Sequence, residues 1–395
     1  MTDGWKRLKA TACITAVMAA LVALPAAAQD CEIKIGAAGP MTGAASAWGL
    51  AGKAGTEFQA ALTNEEGGLQ VGDQKCKVTV YTFDSQYTAA GGAAAANYFA
   101  SEGIHVVNGP VGSPELTGFK PVAKRQGQVN FSTSYAKDVI GPDYPLAFHS
   151  LQAPQTWGPI LIEKAKDRFG FKSVMLIGPN DQGGTDATRA LAQMYTEAGV
   201  EATEEYYQRG TTNFAAIATR IMNNNPDTIE ISTVPPGDQT ILIKQLLEAG
   251  YEGAIGSLGG GGERPLLEGT DGGELLKNAY WLEVVAIENP NVPKLRDDFK
   301  RLMGAEAPTI GNFYVASTAA EIILQAISKA GTDQDAETIA TALREITPES
   351  RYFGTGGWRG KTLYGINQEL AFPVGLGIYD DGERIGVQTV EIPSE

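Results

Sequence analysis

Histidine and cysteine are scarce in this chain. Two histidines, His105 and His149, and three cysteines among 395 residues leave no spacing that reads as a structural zinc site, so no metal is expected. Short catalytic signatures are also missing: there is no G-x-S-x-G, no H-E-x-x-H and no C-x-x-C. Residues 259–262 are glycines, but Glu263 and Arg264 follow rather than the Lys-Ser/Thr of a phosphate-binding loop. Residues 36–43 do not form a dinucleotide-binding fingerprint either. No catalytic residue and no cofactor are expected.

Positive charge is in deficit, with 31 Lys and Arg against 46 Asp and Glu. Such a surface repels nucleic acid and anionic membrane, though solubility in an exported compartment accounts for it equally well. Long apolar runs are missing beyond the N-terminus. There, Lys6, Arg7 and Lys9 precede an apolar stretch at 10–24, and Ala26-Ala27-Ala28 offers a cleavage site before Gln29. This is the layout of a secretory signal peptide, too short to span a bilayer. Cleavage after Ala28 takes three of the 31 bases and one of the 46 acids, leaving a net charge of −17. Gln29 and Asp30 before Cys31 do not match a lipoprotein cleavage box. A periplasmic protein without a lipid anchor is expected.

What remains is long enough for two sizeable cores, and 43% hydrophobic against 19% charged residues marks a globular chain. Strands are expected at 32–37, 77–82, 104–108 and 129–132, alternating with helices at 50–65, 89–102 (capped by Thr88) and 114–126. The rhythm restarts near 146–152, with strands at 173–177, 201–206, 228–232 and 254–257 and helices at 157–169, 185–198, 214–224 and 238–249. After a strand at 279–285, helices dominate (292–303, 313–329 and 335–344). Stretches 370–379 and 384–391 then read as a hairpin around Asp380-Asp381-Gly382. The fold class is α/β: two doubly wound, mostly parallel sheets joined by a hinge of several crossing strands. The expected division is a signal peptide at 1–28, one lobe of 29–150 plus 283–372, and a second of 151–282 plus 373–395. Cys31 and Cys76 each precede a strand, and neighbouring parallel strands would bring those starts together, so an exported chain is expected to bridge them.

The stretch 106–118 stands apart. A β-branched run ends in Gly109-Pro110-Val111-Gly112, and Ser113 is expected as a helix N-cap, with Pro114 at N1 and Glu115 at N2. Free N–H groups of that first turn and the Ser113 hydroxyl would form a socket for an anionic or carbonyl group. A capped helix without a ligand is the plainer alternative.

Taken together, the pieces resemble a periplasmic substrate-binding protein of an ABC importer, in the leucine/isoleucine/valine-binding branch of the type I periplasmic binding proteins. The matching pieces are Ile33-Lys34-Ile35-Gly36 followed by Gly39-Pro40-Met41-Thr42-Gly43-Ala44; Trp48-Gly49 with Gly52 and Gly55; residues 64–68; Tyr81-Thr82-Phe83-Asp84; residues 108–113; and residues 312–320. Their order and spacing cover nearly all of 31–393. The resemblance implies two lobes that close on a small solute and hand it to the membrane permease subunits of the importer, the chain acting as a monomer with no nucleic acid and no stable membrane insertion. A sensor that presents its closed form to a receptor or histidine kinase uses the same scaffold.

The resemblance also implies ligand contacts. Trp48 matches a packing aromatic, Ser113 a carboxylate-binding hydroxyl and N–H, Thr133 and Tyr135 backbone and hydroxyl contacts, and Phe313 an apolar wall. His149, at the first crossing, is a further ligand candidate, set against a hinge or core role. The second lobe departs from the family pattern. Gly183 and Val234 stand where aromatics are usual, and Gly259 stands where an acid pairs with the ligand's α-ammonium. An ammonium buried without a partner is costly, so an amino acid fits only if Glu263 or Glu230 supplies the charge. Otherwise the site suits a carboxylate, an amide or an aromatic acid, with Gln155 and Trp157 replacing the lost contacts.

Overall fold

A computed structural model describes residues 31–259, 261–392 and 395; the expected signal peptide lies outside them. The chain opens with β1 (Glu32–Gly39), α1 (Ser46–Glu65), β2 (Leu69–Val71), β3 (Gln74–Asp84), α2 (Ala89–Ser101), β4 (Val106–Val111), α3 (Ser113–Gln126), β5 (Val129–Thr133) and β6 (Ala147–His149). It continues through α4 (Pro154–Phe169), β7 (Ser173–Pro179), α5 (Gln182–Glu197), β8 (Glu201–Tyr207), α6 (Ala215–Asn224), β9 (Thr228–Ile231), α7 (Pro236–Glu248), β10 (Ala254–Ser257), α8 (Arg264–Gly269) and β11 (Ala279–Glu283). Then follow α9 (Val292–Met303), α10 (Gly311–Ala330), α11 (Ala336–Glu345), the short pair β12 (Glu349–Ser350) and β13 (Gly354–Thr355), β14 (Gly357–Arg359), α12 (Lys361–Tyr364), β15 (Glu369–Ala371), β16 (Val374–Asp380) and β17 (Glu383–Val390).

Two sheets carry the fold. The first runs β14-β15-β6-β5-β4-β1-β3-β2 and the second β17-β16-β11-β10-β9-β7-β8. Their interiors are parallel, with antiparallel pairing at the edges. Every residue of β4 is buried, as a parallel strand covered on both faces must be. On one face of the first sheet, Ile33, Ile35 and Phe131 pack with Phe58 of α1 and Ile322 of α10; on the other, Val107 packs with Phe99 and Phe119. The second sheet is covered likewise, by Leu161 and Leu191 on one face and by Ile217, Leu242 and Leu246 on the other.

The α/β winding follows from strands that end where capping residues begin. Thr88 accepts from the Gly91 N–H, as its sequence context implies, and Asp181 caps α5 through the Gly184 N–H at 3.0 Å. Cys31 and Cys76 are joined, with Cα atoms 4.5 Å apart, because β1 and β3 lie side by side with Glu32 opposite Lys77.

The β2–β3 hairpin is absent from the sequence expectations, because the three residues of β2 give too little alternation to register. Two expectations are corrected. The run 370–379 is not one strand: it breaks at Phe372-Pro373, where proline has no N–H for a ladder. Its first part pairs in the first sheet and the rest in the second. Glu283, assigned by sequence to the first lobe, pairs with Gly375 in the second sheet.

Candidate functional site

Each sheet has a point where its connections leave in opposite directions. β1 lies between β3 and β4, and β7 lies between β8 and β9. Such points open a crevice at the carboxyl ends of the strands. Trp48 follows β1, Ser113 follows β4, Gly183 follows β7 and Thr233 follows β9, and all four line one cavity of about 60 Å³. A single water needs about 10–15 Å³, so the space suits a compact solute. Tyr87, Val111, Gly112, Thr133, Ser134, Tyr135, Gly259 and Asn312 add to the wall, with Leu151 and Val284 from segments that cross between the sheets and Val315 from α10.

On the first-sheet side the wall is rich in hydroxyls. The Ser113 and Ser134 hydroxyls are 2.8 Å apart, and Ser134 also accepts from the Ala136 N–H. The Thr133 hydroxyl pairs with that of Ser150 at 2.9 Å. The Tyr135 hydroxyl is buried without a partner, and burial, then the Glu369 charge, holds the phenol neutral by raising its pKa. Ser113 is not the N-cap. Gly112 is, with φ +126°, a conformation a side chain would resist, and Ser113 opens the helix with Pro114 next. The socket keeps its N–H groups, but the Ser113 hydroxyl is free to face the cavity instead of closing its own helix. Glu115 lies in the first turn, yet burial raises its pKa well above the carboxylate range and both oxygens lack partners. It therefore adds no charge to the helix end.

On the other side, the first turn of α5 faces Ser113 directly. A Cβ on Gly183 would lie 2.5 Å from the Ser113 hydroxyl. Two helix N-termini thus converge on the cavity; that of α5 is already capped by the Asp181 carboxylate, and that of α3, with no side-chain cap, is the one open to negative charge. At Gly259 a Cβ would lie 2.1 Å from the Thr233 nitrogen. The backbone approach itself leaves no room there for an acid. Glu230 does not replace it: its carboxylate is fully buried, bonded by the Leu258 N–H and the Tyr195 hydroxyl, and burial pushes its pKa up to about 8. Glu263 is engaged by Arg384 at 2.7 and 3.0 Å.

Trp48, Ser113, Thr133, Tyr135, Gly183 and Gly259, named from sequence, come together around the cavity. Val234, Phe313, His149, Gln155 and Trp157 are not among its lining residues. Thr233 has φ +51°, which turns it to the cavity and sends Val234 into the core. Phe313 packs on Phe58 and Phe299 inside the first lobe, while Asn312 beside it lines the cavity. Gln155 is exposed on α4. Trp157 is buried, donates to the Gln152 carbonyl and stands edge-on to Tyr135 with centroids 6.4 Å apart, propping that ring from behind. His149 is fully buried; one ring nitrogen donates to the Ser134 carbonyl at 2.7 Å and the other faces Glu369 at 2.8 Å. Glu369 also accepts from the Ala153 N–H and the Thr156 hydroxyl. This cluster ties the first crossing to the start of α4, one residue behind the cavity. Its histidine bonds a carbonyl, not a serine hydroxyl.

Sequence reading missed Tyr87, Ser134, Leu151, Thr233, Val284, Asn312 and Val315. Tyr87 and Thr233 follow strand ends, which is a usable signal. Leu151 and Val284 carry none, since an apolar residue on a crossing segment reads as core.

Two α/β lobes with a cavity between the carboxyl ends of their sheets define a bilobal solute-binding protein. A family model described as periplasmic binding protein matches residues 32–369, and the chain belongs to that family. It is 26% identical over 340 residues to the Leu/Ile/Val-binding protein BraC3 of Rhizobium johnstonii, covering 84% of this chain and 88% of that one. Among solved structures it is similar to the branched-chain amino acid transporter substrate binding protein LivJ from Streptococcus pneumoniae in complex with isoleucine (TM-score 0.76, 18% identity, 92% and 100% of the two chains). It is similar also to an ABC transporter solute binding protein from R. palustris in complex with 4-hydroxybenzoate (TM-score 0.77, 19% identity, 92% and 98%). At these identities the structural likenesses establish the fold. Among the described residues no helix is long and apolar enough to cross a membrane, and no group of three or more His, Cys, Asp or Glu is placed to hold a metal.

Proposed function

We propose that this chain is the exported solute-binding component of an ABC importer, and that its ligand is a small carboxylate without an α-ammonium group, an aromatic acid before an amino acid. The signal peptide at 1–28 is removed after Ala28, and the lobes are 29–150 with 284–372 and 151–283 with 373–395. The ligand carboxylate sits at the start of α3 against Ser113, with Tyr135 and Thr133 beside it and its apolar body against Trp48, Tyr87 and Val315.

One observation carries the choice of ligand: among the described residues no acidic side chain lines the cavity. Gly259 admits none, and Glu230 and Glu263 are committed elsewhere. An ammonium would be buried there without a counter-charge, whereas a carboxylate meets the uncapped start of α3 and a row of hydroxyls. The 4-hydroxybenzoate bound by the R. palustris protein is a ligand of this chemistry.

Thermal shift and calorimetry on the mature protein test this. Benzoate and 4-hydroxybenzoate are expected to raise the melting temperature, by a margin corresponding to about 2.7 kcal/mol at a hundredfold excess over Kd. Leucine, isoleucine and valine are expected to leave it unchanged. Tight leucine binding with no response to aromatic acids overturns the ligand assignment.

A further inference from the structure

Arg209 lies in the loop after β8, and its side chain is only 8% exposed. Its own lobe holds it in place. Nε bonds Asp181, Nη1 donates to the Thr233 carbonyl at 3.0 Å, and the next residue, Gly210, donates its N–H to Asp238 at 2.9 Å. Nη2 is buried and has no acceptor. Across the cleft the guanidinium carbon lies 5.3 Å from the Trp48 ring centroid and 4.9 Å from that of Tyr87. The same loop touches the first lobe again, where a Cβ on Gly210 would meet the Ala44 Cβ at 3.5 Å.

The residues around this cation are held at a cost. Tyr87 has φ +57° and Thr233 has φ +51°. Both conformations are uncommon for a bulky or β-branched side chain, and both residues line the cavity. One presents its ring to Arg209 and the other its carbonyl.

We propose that Arg209 is a positioning residue for ligand capture. When the lobes meet, its guanidinium seats on Trp48 and Tyr87, fixes those two rings as the aromatic wall of the cavity, and clasps the lobes so that release requires breaking a desolvated cation–π contact. The inference rests on the solute-binding reading above.

The experiment pairs release kinetics with a measurement that needs no ligand. Release of benzoate from the mature protein is followed by stopped-flow displacement, and lobe separation in the ligand-free protein by X-ray scattering. Arg209→Ala and Tyr87→Asn are each expected to speed release about tenfold or more. Asparagine tolerates the left-handed backbone at position 87, so the ring is lost without new strain. The double variant is expected to fall short of the sum of the two single effects, because both changes remove the Arg209–Tyr87 contact while each also removes one of its own, Trp48 for Arg209 and the ligand for Tyr87. Arg209→Lys, which keeps the charge, recovers part of the loss. In ligand-free protein each single variant is expected to enlarge the radius of gyration.

Additive effects of the two changes overturn the clasp, as does an Arg209→Ala protein with unchanged release and radius. If wild-type protein does not bind benzoate, the aromatic-acid assignment falls. The ligand-free radius then decides the clasp: enlargement in both variants supports it, and no change removes it.

Discussion

Gly183 of the second lobe approaches Ser113 of the first so closely that a methyl group on it would lie 2.5 Å from the Ser113 hydroxyl and 3.0 Å from its Cβ. The hydroxyl can rotate away; the Cβ cannot. Gly183→Ala therefore obstructs lobe closure while improving the helix that carries it, by up to about 1 kcal/mol. The two effects separate by sign. The ligand-free melting temperature is expected to hold or rise, and ligand affinity to fall about tenfold or more. Calorimetric titration with benzoate beside a melting curve checks both.

Ser113→Ala removes the hydroxyl that faces the cavity and its 2.8 Å bond to Ser134. Gly112, not Ser113, is the N-cap, so the loss of about 1 kcal/mol that follows removal of a serine cap is not expected here. Stability should change little. Affinity for a carboxylate should drop by about 1.5–3 kcal/mol, the usual worth of a hydrogen bond to a charged group. A variant that melts several degrees lower but binds normally would show that the hydroxyl serves the fold alone.

Glu230 and Glu283 set a pH dependence. Burial pushes the first up to about 8 and the second up to about 7. Between about pH 4.5 and these values the folded chain holds protons that the unfolded chain has released. The associated stability is complete below the unfolded pKa and is lost as pH rises through about 7 and then about 8, on the order of 3 kcal/mol for Glu283. Urea unfolding at pH 5 and at pH 8.5 should show the mature protein less stable at the higher pH. Glu230→Gln and Glu283→Gln should each flatten the slope.

The Cys31–Cys76 bridge closes a 45-residue separation. Its reduction is expected to cost about 2–4 kcal/mol, read as a lower denaturant midpoint in dithiothreitol. The bridge joins the amino ends of β1 and β3, opposite the carboxyl ends where the cavity lies. Ligand affinity below the unfolding transition should therefore stay the same.

Much of the architecture was legible before any coordinates. Strands 254–257 and helix 292–303 were placed to the residue, because glycine, proline and charged stops bracket a clear period. Errors fell where a local signal is weak or divided. The 370–379 run is apolar throughout, so nothing but its proline marks the point where the chain changes sheets. Ser113 reads as a cap because Ser-Pro-Glu is a helix start, yet the glycine before it takes the cap and frees the serine. At the cavity, loop residues next to strand ends were found and their neighbours were missed. Val234 stood in for Thr233 and Phe313 for Asn312, each one position out. A one-residue step turns a side chain from cleft to core, and sequence spacing does not resolve it.

The sequence alone determined the layers, the parallel sheets, the paired cysteines and the lack of an acid at position 259. These are set by local periodicity, by residue identity and by strand adjacency. Tertiary structure alone decided which side chains meet. Arg209 reaches Trp48 and Tyr87 from more than a hundred residues away, and Gly183 meets Ser113 across a cleft. Such contacts depend on how two rigid lobes are oriented, and no local propensity encodes that orientation.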